Sequence, residues 1–454
     1  MAILTQHSTP AVSPEHRSSG QRLYERAKRF IPGGTQLLSK RPELILPNQW
    51  PTYYAQAQGI EVTDLDGRVF KDMSLMGIGA CVLGYADPEV DGAVKAAIDK
   101  GVMCTLNVPE EVELAELLCE LHPWAQMVRY AKSGGEAMSI AVRIARAHTK
   151  REKIAFCGYH GWGDWYLAAN LGEVDALDGH LMPGLEPAGV PRSLRGTAFP
   201  FHYNQIEELK KIVDEHRHDL AAIVMEPQRG QNPDPGFLEQ VRDLATETGA
   251  VLIFDEITTA FRMTTGGIHL LLNIMPDIAV FAKAMANGFP MAAILGTSTV
   301  MDSAQNTFIS STNWTERMGP VAALATIRKH RRENVASHLI MIGNMVKMGW
   351  QKAGEHVGFH VHVDGLPSLA HFAIMHEDGV KLMTLFSQLM LEKGYLAGDQ
   401  FKPSFAHEME DVAEYLEAVS DAFLVIAEAV AWGDVDRRLK GPQAKKGFYR
   451  LTES

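Results

Sequence analysis

DIAVFAKAMANGFP, residues 277–290, sets one lysine at the end of a run of small and branched apolar residues. Ile278, Ala279, Val280, Phe281 and Ala282 are continuous, the pattern of a strand buried on both faces. Lys283 closes the run, and the Gly and Pro of MANGFP break it. Lysine is rarely buried without a partner. Two readings stay open at this residue. The amine snorkels from a strand end into water, or it is desolvated so that it condenses with a carbonyl as a Schiff base. Lys283 alone does not decide between them, so the other strand ends have to be read.

The chain has 454 residues, 46% hydrophobic and 22% charged, which suits a globular protein of two or three domains. A formal net charge of −12 gives no reason to expect nucleic-acid or anionic-membrane binding. No apolar stretch approaches the roughly 20 residues that span a bilayer. Cys81, Cys104, Cys119 and Cys157 show no CxxC spacing and no clustering with histidine, so no metal site is expected. They read as small residues of a reducing compartment. The N-terminal MAILTQHSTPAVSPEHRSSG is polar and is neither a signal peptide nor a lipidation signal; a disordered tail over residues 1–20 and a cytoplasmic protein are the expectations.

Three regions follow the tail. Residues 21–75 hold a basic helical stretch, the breaker IPGG, and GIEVTDLDGRVFKDM, which reads as a hairpin turning at Asp66-Gly67. Residues 76–325 alternate short apolar runs with helical segments: MVRYA 127–131, KIAFC 153–157, LAAIVME 220–226, AVLIFDE 250–256 and IAVFA 278–282. Apolar strands spaced by amphipathic helices predict an α/β fold, a mostly parallel sheet flanked by helices. Residues 326–454 are helix-rich, with a strand candidate SLAHFAIM and a long amphipathic stretch DVAEYLEAVSDAFLVIAEAV.

In a parallel sheet the functional groups gather at the carboxyl ends of the strands. After MVRYA, Ser133, Gly134 and Gly135 open a helix, which suits either anion binding by backbone amides or a tight turn. After KIAFC, Tyr159 is placed to cover a flat ring or to join a surface aromatic cluster. After AVLIF comes Asp255, costly at a buried strand end unless it meets a cation or donor; a helix cap is the alternative. Ile257 shares its face if the strand continues. With Lys283, these supply an anion cup, a stacking aromatic, an acid for a ring nitrogen and a Schiff-base amine, the needs of pyridoxal 5′-phosphate.

The chain resembles the class III pyridoxal-phosphate aminotransferases, of fold type I, and within that group is most similar to glutamate-1-semialdehyde 2,1-aminomutase. The carrying stretches include RLYERAKRFIPGGT, LGYADPEVDGAVKAAIDKG, MVRYAKSGGEAMSIAVRIARAHTKREKIAFCGYHGW, VMEP, VLIFDEITTAFRM and PDIAVFAKAMANGFPMAAILG. The resemblance implies that 76–325 is the cofactor-binding domain and that 21–75 and 326–454 build one smaller α/β domain. It implies catalytic roles for Lys283 and Asp255. It also implies a phosphate loop of Ser133, Gly134 and Gly135, and a ring held between Tyr159 and Ile257. A threonine from the partner subunit reaches the phosphate in such enzymes, and the matching position is Thr315, which implies a homodimer with shared sites.

Three departures qualify the resemblance. SGTEA reads SGGEA here, so at Gly135 a phosphate hydrogen bond is lost or another group supplies it. The glycine-rich lid of the aminomutase is replaced by DKGVMCTLNVPEE, and Lys402 in QFKPSF stands where the aminomutase carries a glutamate. The last two weigh against intramolecular amine exchange. The expectation is therefore an aminotransferase acting on a small-molecule amino donor and a carbonyl acceptor, an amino sugar or specialised metabolite among the candidates. Arg41, Trp162 and Lys402 are the candidate substrate residues. An aminomutase, or a lyase or epimerase using the same cofactor, is the alternative.

Overall fold

The computed structural model describes residues 17–173, 175–180, 184–228 and 230–446. They divide into two compact units, residues 79–341 and residues 17–78 with 342–446. The tail expected over 1–20 lies outside the described residues as far as position 16, but its end is helical. The Ser18 hydroxyl accepts from Gln21 N at 3.3 Å and the Gln21 carboxamide accepts from Ser18 N at 3.1 Å, a reciprocal cap on the helix Ser19–Ala27. The large unit also runs past position 325. Its helix Met318–Arg332 buries Ala322, Ala323 and Ile327, and Lys329 meets Asp87 at 2.5 Å within the same unit.

In the unit built from both chain ends, β1 (Tyr54–Gln58), β2 (Glu61–Asp64) and β3 (Val69–Asp72) form an antiparallel meander. The turn between β2 and β3 is the predicted one. The Asp64 carboxylate accepts from the amides of Asp66 and Arg68, both at 2.9 Å, and Gly67 takes φ +80°, open to glycine at little cost.

The large unit carries seven strands: β4 (Met127–Ala131), β5 (Lys153–Cys157), β6 (Ala198–Pro200), β7 (Leu220–Met225), β8 (Val251–Asp255), β9 (Ile278–Phe281) and β10 (Ala292–Gly296). Their order is β4-β10-β9-β8-β7-β5-β6. All run parallel except β10, which is antiparallel to both neighbours. The connection from β9 to β10 is too short for the helical crossover that a parallel return needs. Five strands match apolar runs read from the sequence. AAILG escaped that reading because its alanines and glycine carry little β preference.

Side chains alternate across the sheet. Phe156, Val224 and Ile253 pack with Ile140, Ile144 and Ala145 of the helix Gly134–Thr149 on one face. Cys157, Met225 and Phe254 pack with Leu209, Val213, Leu238 and Val241 of the helices Ile206–His216 and Phe237–Thr248 on the other. Both faces are covered, which is why β7, β8 and β9 are buried throughout. Towards the C-terminus, β11 (Val361–Asp364) and β12 (Ala370–Ile374) pair antiparallel, and Trp350, Phe372, Phe386, Tyr415 and Phe423 fill the core of the other unit. No helix among the described residues is long and apolar enough to cross a membrane.

Two buried histidines tie large-unit loops together as neutral rings. His122 Nδ1 donates to Leu118 O at 2.8 Å while Nε2 accepts from Gly267 N at 3.0 Å. His330 Nε2 donates to Phe261 O at 3.0 Å while Nδ1 accepts from Thr265 Oγ1 at 2.8 Å. Burial pushes both from the ordinary 6.5 down to about 4. The unfolded chain therefore takes up protons first, and stability that is complete above pH 6.5 is lost as pH falls towards 4. Denaturant titrations at stepped pH should show this decline, and the slope should flatten when His122 and His330 are both replaced by Asn.

Candidate active site

The carboxyl ends of β4, β5, β8 and β9 open onto one cleft of about 280 Å³. Ser133, Gly134, Gly135, Tyr159, Asp255, Ile257 and Lys283 all line it, and so does Trp162. Residues up to 150 positions apart in sequence thus share one cavity close to the size of ordinary ligand sites.

Asp255 ends β8 and is 3% exposed. Its Oδ1 accepts from Ile257 N at 3.1 Å and its Oδ2 faces His160 Nδ1 at 2.8 Å. His160 Nε2 faces Cys157 O at 3.0 Å. Both ring nitrogens therefore face oxygen atoms, one of the carboxylate and one of the backbone. The buried carboxyl group is satisfied by this partner and by a backbone donor. His160 was not found by sequence reading. It sits in GYHGW beside Tyr159, but its partner is 95 residues away, so no spacing advertises the pair.

Lys283 follows β9, and its Nζ donates to Thr258 Oγ1 at 2.8 Å. Thr258, another residue missed from sequence, stands three positions after Asp255. The Lys283 backbone has φ +46°, an uncommon conformation for a long side chain and a cost that surrounding contacts must sustain. The next turn is pinned by Asn287, whose Oδ1 accepts from Leu83 N at 2.8 Å and whose Nδ2 donates to Gly84 O at 3.0 Å.

At the opposite wall Ser133 is the N-cap of the helix Gly134–Thr149, extended and with no side-chain capping bond. The first amides of that helix are free of intrahelical partners and point outward, the arrangement that binds anions. A Cβ on Gly134 would lie 2.8 Å from Ile257 Cδ1, so Ile257 packs directly against this turn. Tyr159 is partly exposed at the mouth, edge-on to Tyr166 with ring centres 6.3 Å apart. Lys132, which also lines the cleft, forms an ion pair with Glu316.

The other predicted residues lie elsewhere. Thr315 is exposed in the turn Thr312–Thr315, its hydroxyl donating to Thr312 O at 3.0 Å, and it does not line the cleft. Arg41 and Lys402 belong to the other unit. The Arg41 guanidinium lies against Gly33, where a Cβ would come within 2.0 Å of Nη2. Lys402 Nζ donates to Gln400 Oε1 at 3.1 Å.

Comparison with known proteins agrees with this geometry. The family profile Aminotransferase class-III matches residues 47–423. The chain belongs to the class III aminotransferases. It is 32% identical over 420 residues to the 3-aminobutyryl-CoA aminotransferase of Cloacimonas acidaminovorans, covering 88% of this chain and 95% of the relative. It is 32% identical over 441 residues to the glutamate-1-semialdehyde 2,1-aminomutase of Desulforamulus reducens, covering 92% of this chain and 100% of the relative. Among solved structures, the pyridoxal-phosphate internal aldimine form of the FumI protein of Sphingopyxis sp. MTA144 superposes with a TM-score of 0.82 at 27% identity, covering 91% of this chain and 97% of that one.

The protein is thus an enzyme of fold type I with pyridoxal 5′-phosphate as its cofactor, and the cleft fits that group. It offers a buried acid, an amine at a strand end, and a helix start where Ile257 leaves no room for a side chain at Gly134. Asp255→Ala should lower turnover by about 10²-fold or more, roughly 2.7 kcal/mol of barrier. His160→Phe, which leaves the carboxylate in place but without its ring partner, should cost less, about tenfold. Steady-state kinetics on the two variants checks the ranking, and an Asp255→Ala enzyme of near-normal rate would assign the acid elsewhere.

Proposed function

We propose that the protein transfers an amino group between a small-molecule amine or amino-acid donor and a carbonyl acceptor, with Lys283 moving the protons. The observation that carries this is the Lys283 amine held by Thr258 in the same cleft as the Asp255–His160 pair. The chemistry supplied by pyridoxal 5′-phosphate, when bound, is capture of an amine at its carbonyl and an electron sink in its ring. Lys283 Nζ removes the proton from the amine-bearing carbon of the donor and returns one to the carbonyl carbon of the acceptor. The Thr258 hydroxyl orients that amine. The Asp255 carboxylate would hold a proton on the ring nitrogen, and His160 positions Asp255. Ser133 and the amides of Gly134 and Gly135 would hold the phosphate, and Tyr159 and Ile257 would hold the ring.

The working unit we propose is a homodimer in which Thr315 serves the partner's phosphate. Thr315 is exposed, and the side chains of Phe308 and Leu106 are 85% and 76% exposed, apolar surface that a partner would cover. Four free thiols favour a reducing, cytoplasmic setting. Amino sugars or other specialised metabolites are the substrate class proposed, with Arg41 and Lys402 as candidate anion contacts. The aminomutase reading is favoured by the Desulforamulus relative and weakened by DKGVMCTLNVPEE and Lys402. A lyase or epimerase would use the same cleft groups.

Three measurements test the proposal. Incubation with α-amino acids, β-amino acids and amino sugars should convert the yellow holoenzyme to its amine-loaded form with one class of donor, reversed by the matching carbonyl. Persistence of the yellow form with product release would mark a lyase or epimerase. Borohydride should attach the cofactor to the Lys283 peptide of the wild type and to nothing in Lys283→Ala; label on another lysine would overturn the assignment. Thr315→Ala should weaken cofactor binding by about 1–2 kcal/mol, and a Thr315→Ala protein that binds normally would remove the cross-subunit contact.

A further inference from the structure

Gly135 and Trp162 occupy each other's space. A Cβ built on Gly135 would lie 3.0 Å from Trp162 Nε1 and 3.1 Å from Cδ1, so the polar edge of the indole fills the volume a side chain at 135 would use. The fit is mutual. A Cβ on Gly161 would lie 3.0 Å from Gly135 Cα, and one on Gly163 would lie 2.9 Å from Ser139 Oγ. The backbone of 161–163 therefore runs along the first turn of the helix Gly134–Thr149, and three glycines permit the approach. Gly135 itself is helical and has no positive φ, so its missing side chain answers to Trp162 and not to the backbone.

The placement of Trp162 is otherwise hard to account for. Its side chain is 72% exposed, so it builds little core. It lines the cleft with Ser133, Gly134 and Gly135. An indole offers one donor and no acceptor, which suits an anion whose oxygens only accept. Its nitrogen stands 3.0 Å from where a Cβ on Gly135 would lie, at the first turn of the helix.

We propose that the Trp162 indole N–H is a further donor to the cofactor's phosphate, beside Ser133 and the backbone amides of Gly134 and Gly135, rather than part of the substrate wall. The proposal rests on the pyridoxal-phosphate reading of the cleft.

The test compares two ligands on the apoenzyme, pyridoxal 5′-phosphate and pyridoxal, which lacks the phosphate. Wild type should bind the phosphorylated ligand far more tightly. Trp162→Phe, which keeps a flat ring but no donor, should weaken pyridoxal 5′-phosphate by about tenfold, as for a hydrogen bond to a charged group, and leave pyridoxal unchanged. Gly135→Ala, whose methyl displaces the indole, should produce a similar loss, and the double variant should be no worse than either single one. Equal weakening of both ligands by Trp162→Phe would overturn the proposal, as would unchanged affinities with a raised KM for the amine. A wild type that does not distinguish the two ligands would instead overturn the phosphate assignment of the whole cleft.

Discussion

The parallel pairing of β8 with β9 governs the site. It sets Asp255 opposite Val280, so the carboxylate that ends one strand and the amine three residues past its neighbour's Val280 reach the same cleft. Side chains alternate along a strand, so a slip of one residue would exchange Asp255 with Glu256. Glu256 points the other way, into a buried network. Its carboxylate accepts from Ile268 N at 2.5 Å, His269 N at 3.0 Å and the His269 ring, which in turn accepts from Trp124 Nε1 at 2.9 Å. Each acid is matched to donors on its own face. Either one in the other's place would be a buried charge without partners, a penalty of several kcal/mol that specifies register.

The lysine depends on that register and on a second constraint. Its backbone is held at φ +46°, and the turn after it is fastened through Asn287 to the segment Leu83-Gly84, two hundred positions earlier. A strained residue persists where the surroundings over-determine it, and such residues cluster where chemistry is done. Strand, turn and clamp together place the amine within hydrogen-bond reach of Thr258, inside the cleft.

The wall at the start of the helix Gly134–Thr149 shows the same logic in apolar form. Ile257 fills the space above Gly134 and Trp162 fills the space above Gly135. The chain brings side chains from other strand ends to the helix start, and the glycines there make room for them. Lys132, next to this turn, is joined to Glu316, whose carboxylate also accepts from Met318 N at 2.7 Å and Gly319 N at 2.8 Å at the start of the helix Met318–Arg332. The segment carrying Thr315 is in this way anchored to the wall of the cleft.

What the sequence determined by itself was local. The apolar runs of β4, β5, β7, β8 and β9, their helical spacers and the residues that follow each strand were legible because hydrophobic period and turn chemistry act over a few positions. Ser133, Gly134, Gly135, Tyr159, Asp255, Ile257 and Lys283 could be singled out from their places at strand ends, and the resemblance to class III aminotransferases ordered them. Tertiary structure alone decided the rest. The antiparallel β10, short and alanine-rich, takes its direction from its neighbours. His160 and Thr258 became site residues only when the sheet put them beside Asp255 and Lys283. Gly135 read as a deficit in one dimension, and in three it is the space that Trp162 occupies. Contacts between residues far apart in sequence leave no periodic trace, because their spacing is set by the sheet and not by the chain.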